Sequence, residues 1–187
     1  MYNEAEIIEG CIKQNRKAQK MLYDRYSSRF LGICMRYAKN RQEAEDILQE
    51  AFIKIFDNIS QYNHSGSFEG WMRRIIVNTA ISNYRKNLKH YYHLDVNDFI
   101  EFEQTELIDE TEFTLEEMLS AIQSLAPGYR IIFNLYAIEG YSHKEIANML
   151  GVDIATSKSQ YSRARKIIQK KLIEMKKIKQ AALLNER

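Results

Sequence analysis

Apolar residues recur at helical intervals along the first half of the chain, and this periodicity constrains the fold most. Steps of four, four, three and four residues separate Leu22, Tyr26, Phe30, Ile33 and Tyr37. The spacing predicts one apolar face on a helix over roughly residues 17–39. A second stripe begins at Ala44 and ends at Ile59, and a third helix begins near Phe68. Together these helices predict a first bundle at residues 1–88.

The composition agrees with an all-α chain. The 187 residues include one proline and seven glycines, which favours long helices with few tight turns. No alternation of apolar and polar residues is sustained next to a hairpin dipeptide, so strands are not expected. We therefore predict two small helical bundles joined by a flexible acidic linker.

The second half of the chain contains the start and stop signals of a helix-turn-helix. Ser142 followed by Glu145 predicts a capping box. Gly151 marks a turn where a left-handed backbone conformation costs little free energy only for glycine. The helix after that turn is basic. It carries Lys158, Arg163, Arg165, Lys166, Lys170 and Lys171. A cationic helix behind such a turn is suited to enter a DNA major groove.

Two further signals place the helices that precede this motif. Thr114 opens a capping box with the acidic residue three positions on, and Pro127 suits the first turn of the next helix. That helix is expected to end at Gly140. Its expected core residues are Ile131, Ile132, Leu135 and Tyr136. The second bundle is predicted at residues 113–175, and a basic tail follows at residues 176–187.

Charged residues are segregated along the chain, although the formal net charge is only +2. Residues 71–89 contain basic but no acidic side chains, whereas residues 95–117 contain acidic but no basic ones. The chain is strongly basic again from Lys158. This layout predicts two surfaces that bind polyanions. It also predicts an acidic linker at residues 89–112 that is extended or disordered.

Several functional classes lack support in the sequence. Cys11 and Cys34 show neither disulfide nor metal spacing, which is typical of buried reduced thiols in a cytosolic protein. The four histidines have no ligand partners at zinc spacing, and no glycine-rich nucleotide loop occurs. Without a signal peptide or an apolar run that spans a bilayer, we expect a cytoplasmic protein. No enzymatic activity, metal or cofactor is expected.

Four segments, in this order, resemble a single family. They are residues 45–56 (EDILQEAFIKIF), 70–81 (GWMRRIIVNTAI), 139–147 (EGYSHKEIA) and 162–165 (SRAR). The chain resembles the extracytoplasmic-function (ECF) group of bacterial RNA polymerase sigma factors, which keep only sigma domains 2 and 4. The resemblance implies that domain 2 binds the β′ clamp helices of core polymerase and melts the −10 element. It implies that domain 4 lies on the β flap and reads the −35 element.

The resemblance assigns roles to residues of the first bundle. Asp46, Gln49, Glu50 and Lys54 form an outward, mostly acidic strip that suits hydrogen bonds from a basic coiled coil of core polymerase. Contacts to the −10 element are implied for Asn63, His64, Ser65 and Asn78. Candidates for the nearby DNA backbone are Arg73, Arg74, Arg85 and Lys86. Cations there neutralise phosphates without reading the sequence.

On the basic helix of the second bundle, positions i, i+1, i+4 and i+5 share one face. They are Lys158, Ser159, Ser162 and Arg163, and the resemblance implies that they contact the −35 element. Three positions depart from the family pattern. Ser82 stands where aspartate is common, and Ser157 and Tyr161 stand where aliphatic residues are common. We expect Ser157 to anchor the basic helix more weakly.

A second hypothesis is a freestanding helix-turn-helix regulator with an N-terminal sensory bundle. It explains the basic helix equally well, but it leaves the acidic strip, the polar loop at residues 63–67 and the acidic linker unexplained. A nucleic-acid enzyme is a third hypothesis and has no motif to support it. The partners that the resemblance implies are core RNA polymerase, promoter DNA and an anti-sigma factor, and the polymerase itself supplies the phosphoryl transfer.

Overall fold

The computed structural model describes residues 3–91 and 113–185, and these residues form helices without a strand, which confirms the all-α prediction. The first group of helices comprises α1 (Glu4–Ile12), α2 (Arg16–Tyr37), α3 (Arg41–Asn58) with a 3₁₀ turn (Ile59–Gln61), and α4 (Phe68–Tyr91). The second comprises α5 (Leu115–Gln123), α6 (Pro127–Phe133) with a π-helical turn (Asn134–Ile138), α7 (His143–Leu150) and α8 (Ile154–Asn185).

Contacts between Cα atoms divide the chain into two compact units, Met1–Asn83 and Tyr84–Arg187. The division falls inside α4, a few residues before the boundary predicted at residue 88. Because α4 continues to Tyr91, the first residues assigned to the linker are helical. The remainder of the predicted linker, residues 92–112, lies outside the described residues.

Asparagine caps begin three helices of the first unit. Asn3 forms a capping box with Glu6 at α1, and the side chains of Asn15 and Asn40 accept backbone N–H bonds at α2 and α3. The sequence pattern does not predict α1, because a helix of 9 residues is too short to show a clear period. Its buried residues are Ile7, Ile8 and Cys11.

The core of the first unit is built from the predicted apolar stripes. Its largest fully buried side chains include Leu22, Phe30, Ile55, Phe68, Met72 and Ile76. Aromatic contacts join the helices, since the Phe30 ring lies 6.3 Å from Phe52 of α3 and the Tyr26 ring lies 6.4 Å from Phe68 of α4. Such pairs stabilise a core beyond the burial of their area.

Both cysteines are free and buried, as predicted. Burial raises the pKa of the Cys11 thiol to about 11 and that of the Cys34 thiol to about 12. The nucleophilic thiolate is therefore disfavoured, and the two side chains act as small apolar core residues.

The second group of helices begins with the predicted capping box, in which Thr114 and Glu117 satisfy each other's backbone N–H groups. Pro127 occupies the first turn of α6, also as predicted. One cluster of its core consists of Ala121, Ile122, Leu125, Tyr129, Ala164, Ile168 and Leu172. Arg130 is buried as well, and its Nη1 donates to the carbonyl oxygens of Gln123 (3.1 Å) and Leu125 (3.4 Å). It thereby satisfies acceptors at the end of α5.

The helix that starts at Pro127 does not stay regular up to Gly140. Its last part is the π-helical turn, where the N–H of Glu139 donates to the carbonyl of Asn134 at 2.9 Å. A π turn is wider than an α turn and changes the direction of its side chains. Ile131, Ile132 and Leu135 are buried as predicted, but Tyr136 is 37% exposed. The prediction that Tyr136 belongs to the core is therefore wrong.

The helix-turn-helix has the local structure that the sequence predicts. Ser142 and Glu145 form a capping box at the start of α7. Gly151 has φ 70° and ψ 37°, and its N–H donates to the carbonyl of Ala147 at 2.9 Å. Ala147 is itself buried, and α7 packs against α8. The turn therefore fixes the point from which α8 starts.

Candidate nucleic-acid and protein-binding surfaces

The four residues predicted to bind polymerase lie along one strip of α3, which we call the α3 strip (Asp46, Gln49, Glu50 and Lys54). Asp46 and Gln49 are exposed, whereas Glu50 and Lys54 are half-exposed. Glu50 and Lys54 form an ion pair of 2.8 Å, and Lys54 Nζ also donates to Thr79 Oγ1 of α4 at 3.4 Å. Lys54 is thus drawn towards α4, so the outer edge of the strip is acidic and amide-bearing.

Ile53 lies between these polar residues and is 61% exposed. It is one turn from Gln49 and Glu50, outside the apolar stripe that fills the core. In the sequence, Ile53 differs from the other apolar residues of α3 only because it does not fit the period of the buried stripe. The exposed Ile53 side chain adds apolar area to this otherwise polar strip.

The loop between the 3₁₀ turn and α4 (residues 62–67) is held by bonds among its own residues. The Tyr62 hydroxyl donates to the carbonyl of Gly66 at 2.6 Å. Asn63 Oδ1 accepts from the backbone N–H of Ser65 at 3.1 Å and from its Oγ at 2.7 Å. His64 has a φ of 61°, a left-handed conformation that is uncommon for a non-glycine residue. Asn63, His64 and Ser65 are all exposed.

An aromatic cluster (Tyr62, His64, Phe68 and Trp71) supports this loop. The Tyr62 ring lies 4.6 Å from His64, 5.0 Å from Phe68 and 5.8 Å from Trp71. Phe68 is buried and stacks on Trp71 at 5.6 Å, so the cluster is joined to the core through Phe68. Tyr62 and Trp71 remain half-exposed. The polar loop therefore lies beside aromatic faces that a planar ligand can stack on.

Helix α4 carries the other residues predicted to lie near the −10 element. Arg74 and Asn78 are exposed and one turn apart, and Arg85 and Lys86 are exposed further along the helix. Arg73 is half-buried. Ser82, which stands where the family commonly has aspartate, donates its hydroxyl to the carbonyl of Asn78 at 2.9 Å. It therefore bonds to its own helix and supplies no negative charge.

The four residues predicted to contact the −35 element are all exposed on α8, and we call them the α8 contact face (Lys158, Ser159, Ser162 and Arg163). The opposite face of the helix is buried. It includes Ser157, Ala164, Ile168 and Leu172. Ser159 Oγ donates to the carbonyl of Thr156 at 3.0 Å, which leaves the hydroxyl oxygen as an acceptor. This face combines cationic and hydroxyl groups.

The start of α8 is joined to α7 by a polar contact that the sequence does not predict. Ser157 is fully buried, and a hydrogen bond of 2.9 Å joins its Oγ to Nδ1 of His143. The His143 ring stacks on Tyr136 with centroids 4.2 Å apart and planes 12° apart, and it lies 5.8 Å from Tyr161. Burial, followed by the positive charge of Lys158, lowers the pKa of His143. Its neutral form is therefore favoured.

In residues 3–91 and 113–185, no group of three or more His, Cys, Asp or Glu side chains could hold a metal ion. Over the same ranges, no helix combines the length and the apolar character needed to span a bilayer. His64 and His143 contact tyrosine rings instead of acidic or thiol ligands.

Comparison with known proteins identifies both helical groups. The family model Sigma-70 region 2 matches residues 22–89, and Sigma-70, region 4 matches residues 115–168. The RNA polymerase sigma-H factor of Pseudomonas aeruginosa is 28% identical over 183 residues, which cover 90% of this chain and 93% of that protein. The ECF RNA polymerase sigma factor SigW of Bacillus subtilis is 29% identical over 185 residues, which cover 90% of this chain and 98% of that protein.

Among solved structures, the chain is similar to the sigma factor RpoE from Bartonella quintana, crystallised with the anti-sigma factor NepR. The TM-score is 0.49 and the identity 23%, over 82% of this chain and 95% of that chain. The curated relatives are matched over nearly their whole length, with regions 2 and 4 in the expected order. A freestanding regulator does not account for the region 2 match. The chain therefore belongs to the extracytoplasmic-function sigma factors of RNA polymerase, and it directs promoter-specific initiation of transcription.

Proposed function

We propose that this sigma factor divides its tasks between the two helical units. The α3 strip binds core polymerase, the 62–67 loop and α4 read and melt the −10 element, and α8 reads the −35 element. The observation that carries the proposal is the 62–67 loop, in which polar groups are held beside half-exposed aromatic rings. Such a site suits an unpaired base. A regulator that binds only duplex DNA does not need one.

The α3 strip offers core polymerase an acidic edge with an apolar centre. The carboxylate of Asp46 and the amide of Gln49 are exposed and accept hydrogen bonds from basic side chains. Ile53 supplies apolar area that becomes buried on binding. Complementary charge then favours encounter with the basic β′ clamp helices, and the apolar contact slows dissociation.

At the −10 element, the loop captures a base that has left the duplex. Unstacking a base costs a few kcal/mol, so stacking on the aromatic cluster has to offset it. The Asn63 side-chain oxygen is engaged by Ser65, and the group that Asn63 presents to the base edge is therefore its amide NH₂ donor. His64 adds an imidazole nitrogen. Arg74 and Asn78 on α4 contact the DNA strand next to that base.

At the −35 element, the start of α8 enters the major groove of duplex DNA. Arg163 and Lys158 suit the acceptors of guanine or the phosphates, and the two serine hydroxyls suit either kind of base edge. Because Lys166 and Lys170 continue the basic character of the same helix, they extend the attraction for the DNA backbone.

Partners and location follow from membership of the family. We propose the β flap as the polymerase site for the second unit and an anti-sigma factor as the regulator that covers these surfaces. We also propose a cytoplasmic location, where polymerase acts, and the absence of enzymatic activity, because the polymerase performs the phosphoryl transfer.

Transcription in vitro tests the proposal. Sheared genomic DNA is transcribed by purified core polymerase with and without the full-length chain, and the RNA 5′ ends are mapped. We expect discrete new start sites that share two spaced upstream elements. If no new starts appear while the chain binds DNA without polymerase, the freestanding regulator is the better account.

A further inference from the structure

The first turn of α8 lacks the aliphatic anchor that is common in the family. Ile154 is 44% exposed, Ala155 is exposed and Thr156 is half-exposed. Ser157 is the first fully buried side chain of the helix, and the apolar inward residues begin further on, at Ala164. The end of α8 that carries the contact face is therefore held through a hydroxyl group.

The partner of that hydroxyl is itself held in place. His143 opens α7, and its Nδ1 lies 2.9 Å from Ser157 Oγ. Tyr136, which the π-helical turn directs outward, covers the His143 ring at 4.2 Å. The ring of Tyr161 on α8 lies 4.5 Å from the ring of Tyr136, so α8 contributes to the same aromatic cluster. Two aromatic rings and one hydrogen bond thus fix the orientation of the imidazole.

This arrangement joins features that otherwise look unrelated. Ser157 and Tyr161 are the two departures from the family pattern on α8, and both contact His143. The π turn accounts for the exposure of Tyr136, and Tyr136 in turn covers His143. At this position the chain therefore has a polar contact together with the aromatic residues that support it.

A hydrogen bond restricts rotation in a way that an aliphatic contact does not, because it weakens steeply when its angle departs from linearity. Ser157 is adjacent in sequence to Lys158 and Ser159, and successive helical residues are about 100° apart around the axis. A rotation of α8 that breaks the bond to His143 therefore also turns the contact face away from its base edges. Leaving a buried hydroxyl without a partner is costly as well.

We propose that His143 is a positioning residue for −35 recognition. Through Ser157 it sets the rotation of α8, and hence the direction in which Ser159, Ser162 and Arg163 meet the groove. His143 itself touches no base. The inference rests on the proposed role of α8 as the −35 reader, and it adds a residue of α7 to the determinants of specificity.

The test measures discrimination between two promoters. Holoenzyme is reconstituted from core polymerase and the full-length chain. One template is a promoter found by start-site mapping, and the other differs from it by one base pair in the upstream element. The ratio of the two transcript yields is measured for wild type, His143→Ala, His143→Asn and Ser157→Ala. Asn148→Ala, an exposed substitution on the same helix, is the matched control.

We expect His143→Ala and Ser157→Ala to lower the ratio by about 5-fold or more, since a misplaced base contact forfeits much of its discrimination. His143→Asn places an amide near the position of Nδ1, so the ratio should return to within about twofold of wild type. The Asn148→Ala ratio should not change. Reactions are run at a temperature where thermal unfolding shows every variant to be folded.

An unchanged ratio in His143→Ala overturns the proposal. This holds whether both yields stay at the wild-type level or fall equally, because a merely structural residue affects all promoters alike. Arg163→Ala, measured in parallel, separates the positioning role of His143 from the proposed role of α8 as the reader of the −35 element. If Arg163→Ala lowers the ratio and His143→Ala does not, only the positioning role fails. If Arg163→Ala leaves the ratio unchanged, Arg163 does not belong to the α8 contact face.

Discussion

The 62–67 loop and the α8 contact face both present polar groups to DNA in our proposal, but they are held in different ways. The loop is fixed by bonds among its own residues, from the Tyr62 hydroxyl to Gly66 and from Ser65 to Asn63. The α8 contact face is ordered by the regular period of a helix. Its placement depends on the opposite, buried face, which begins at Ser157.

The difference shows how far from the DNA a substitution is able to act. Because the loop carries its own constraints, changes that alter its geometry should be confined to the loop and its aromatic cluster. The helix obtains its placement from elsewhere, so residues that never meet DNA should change how it reads sequence. Substitutions in the three regions test this contrast and the independence of the α3 strip from the loop and from α8.

The largest effect is expected from the α3 strip. Asp46→Arg combined with Glu50→Arg reverses the charge offered to a basic partner, and affinity for core polymerase should fall about 100-fold. Binding is measured by fluorescence anisotropy of the labelled full-length chain. The matched control is Glu9→Arg with Asp24→Arg, which breaks only exposed pairs in the same unit and should bind normally. An unchanged affinity of the strip variant contradicts the assignment.

A smaller effect is expected from the loop. Tyr62→Ala removes both the stacking ring and the hydroxyl that closes the loop, and promoter melting should fall about 30-fold. Tyr62→Phe removes only the bond to Gly66, and melting should fall about 3-fold. Permanganate reactivity of unpaired thymines in the −10 region measures melting. Gln61→Ala, on the preceding turn, is the control. Equal melting by wild type and Tyr62→Ala argues against an unpaired base at this cluster.

The next effect concerns the helix. Arg163→Ala should lower transcription from an intact promoter about 10-fold, with little further loss when its partner base pair in the upstream element is also changed. Affinity for core polymerase should be unchanged. Glu174→Ala, an exposed substitution about three turns further along α8, is the control. Normal selectivity in the Arg163 variant removes it from the contact face.

The smallest effect is a pH dependence that belongs to the second unit. The pKa of His143 is lowered from 6.5 by burial and by Lys158, so the folded state disfavours the protonated ring. Well above pH 6.5 the ring is neutral in both the folded and the unfolded chain and contributes no pH dependence. As the pH falls below 6.5, the unfolded chain takes up the proton first, and stability decreases.

The measurement is thermal unfolding of the full-length chain as a function of pH, for wild type and His143→Asn. The wild type should lose more stability than the variant on acidification. Lys158 is the charged group that faces the imidazole, and Tyr136 and Tyr161 are the tyrosines packed on it. Parallel pH profiles for the two proteins contradict the prediction.

The sequence predicted the features that local chemistry determines. The capping boxes at Thr114 and Ser142 and the left-handed Gly151 follow from residue types at fixed offsets, and each is present in the structure. The apolar stripe of α2 is predictable because its period repeats over several turns, and its residues are buried in the structure. The exposed contact face on α8 is the complement of such a stripe.

The features that the sequence did not predict depend on tertiary contacts or on exceptions to a period. The π turn redirects Tyr136, and no composition rule indicates it. Arg130 is buried because it meets carbonyls at the end of α5, although arginine is ordinarily a surface residue. The Ser157–His143 bond joins residues that lie 14 positions apart, so each looks ordinary in its own segment. From the sequence pattern alone, Ser157 is predicted to anchor α8 more weakly than an aliphatic residue.

The central claim is that three separate surfaces of the chain bind three different targets. These are core polymerase, the −10 element and the −35 element. Site-specific photocrosslinking in the promoter complex tests it most directly, with a photoreactive residue at position 49, 65 or 159 of the full-length chain. We expect position 49 to crosslink to the β′ subunit, position 65 to DNA of the −10 element, and position 159 to DNA of the −35 element. Crosslinks from position 49 to DNA, or from position 159 to the −10 element, contradict the account.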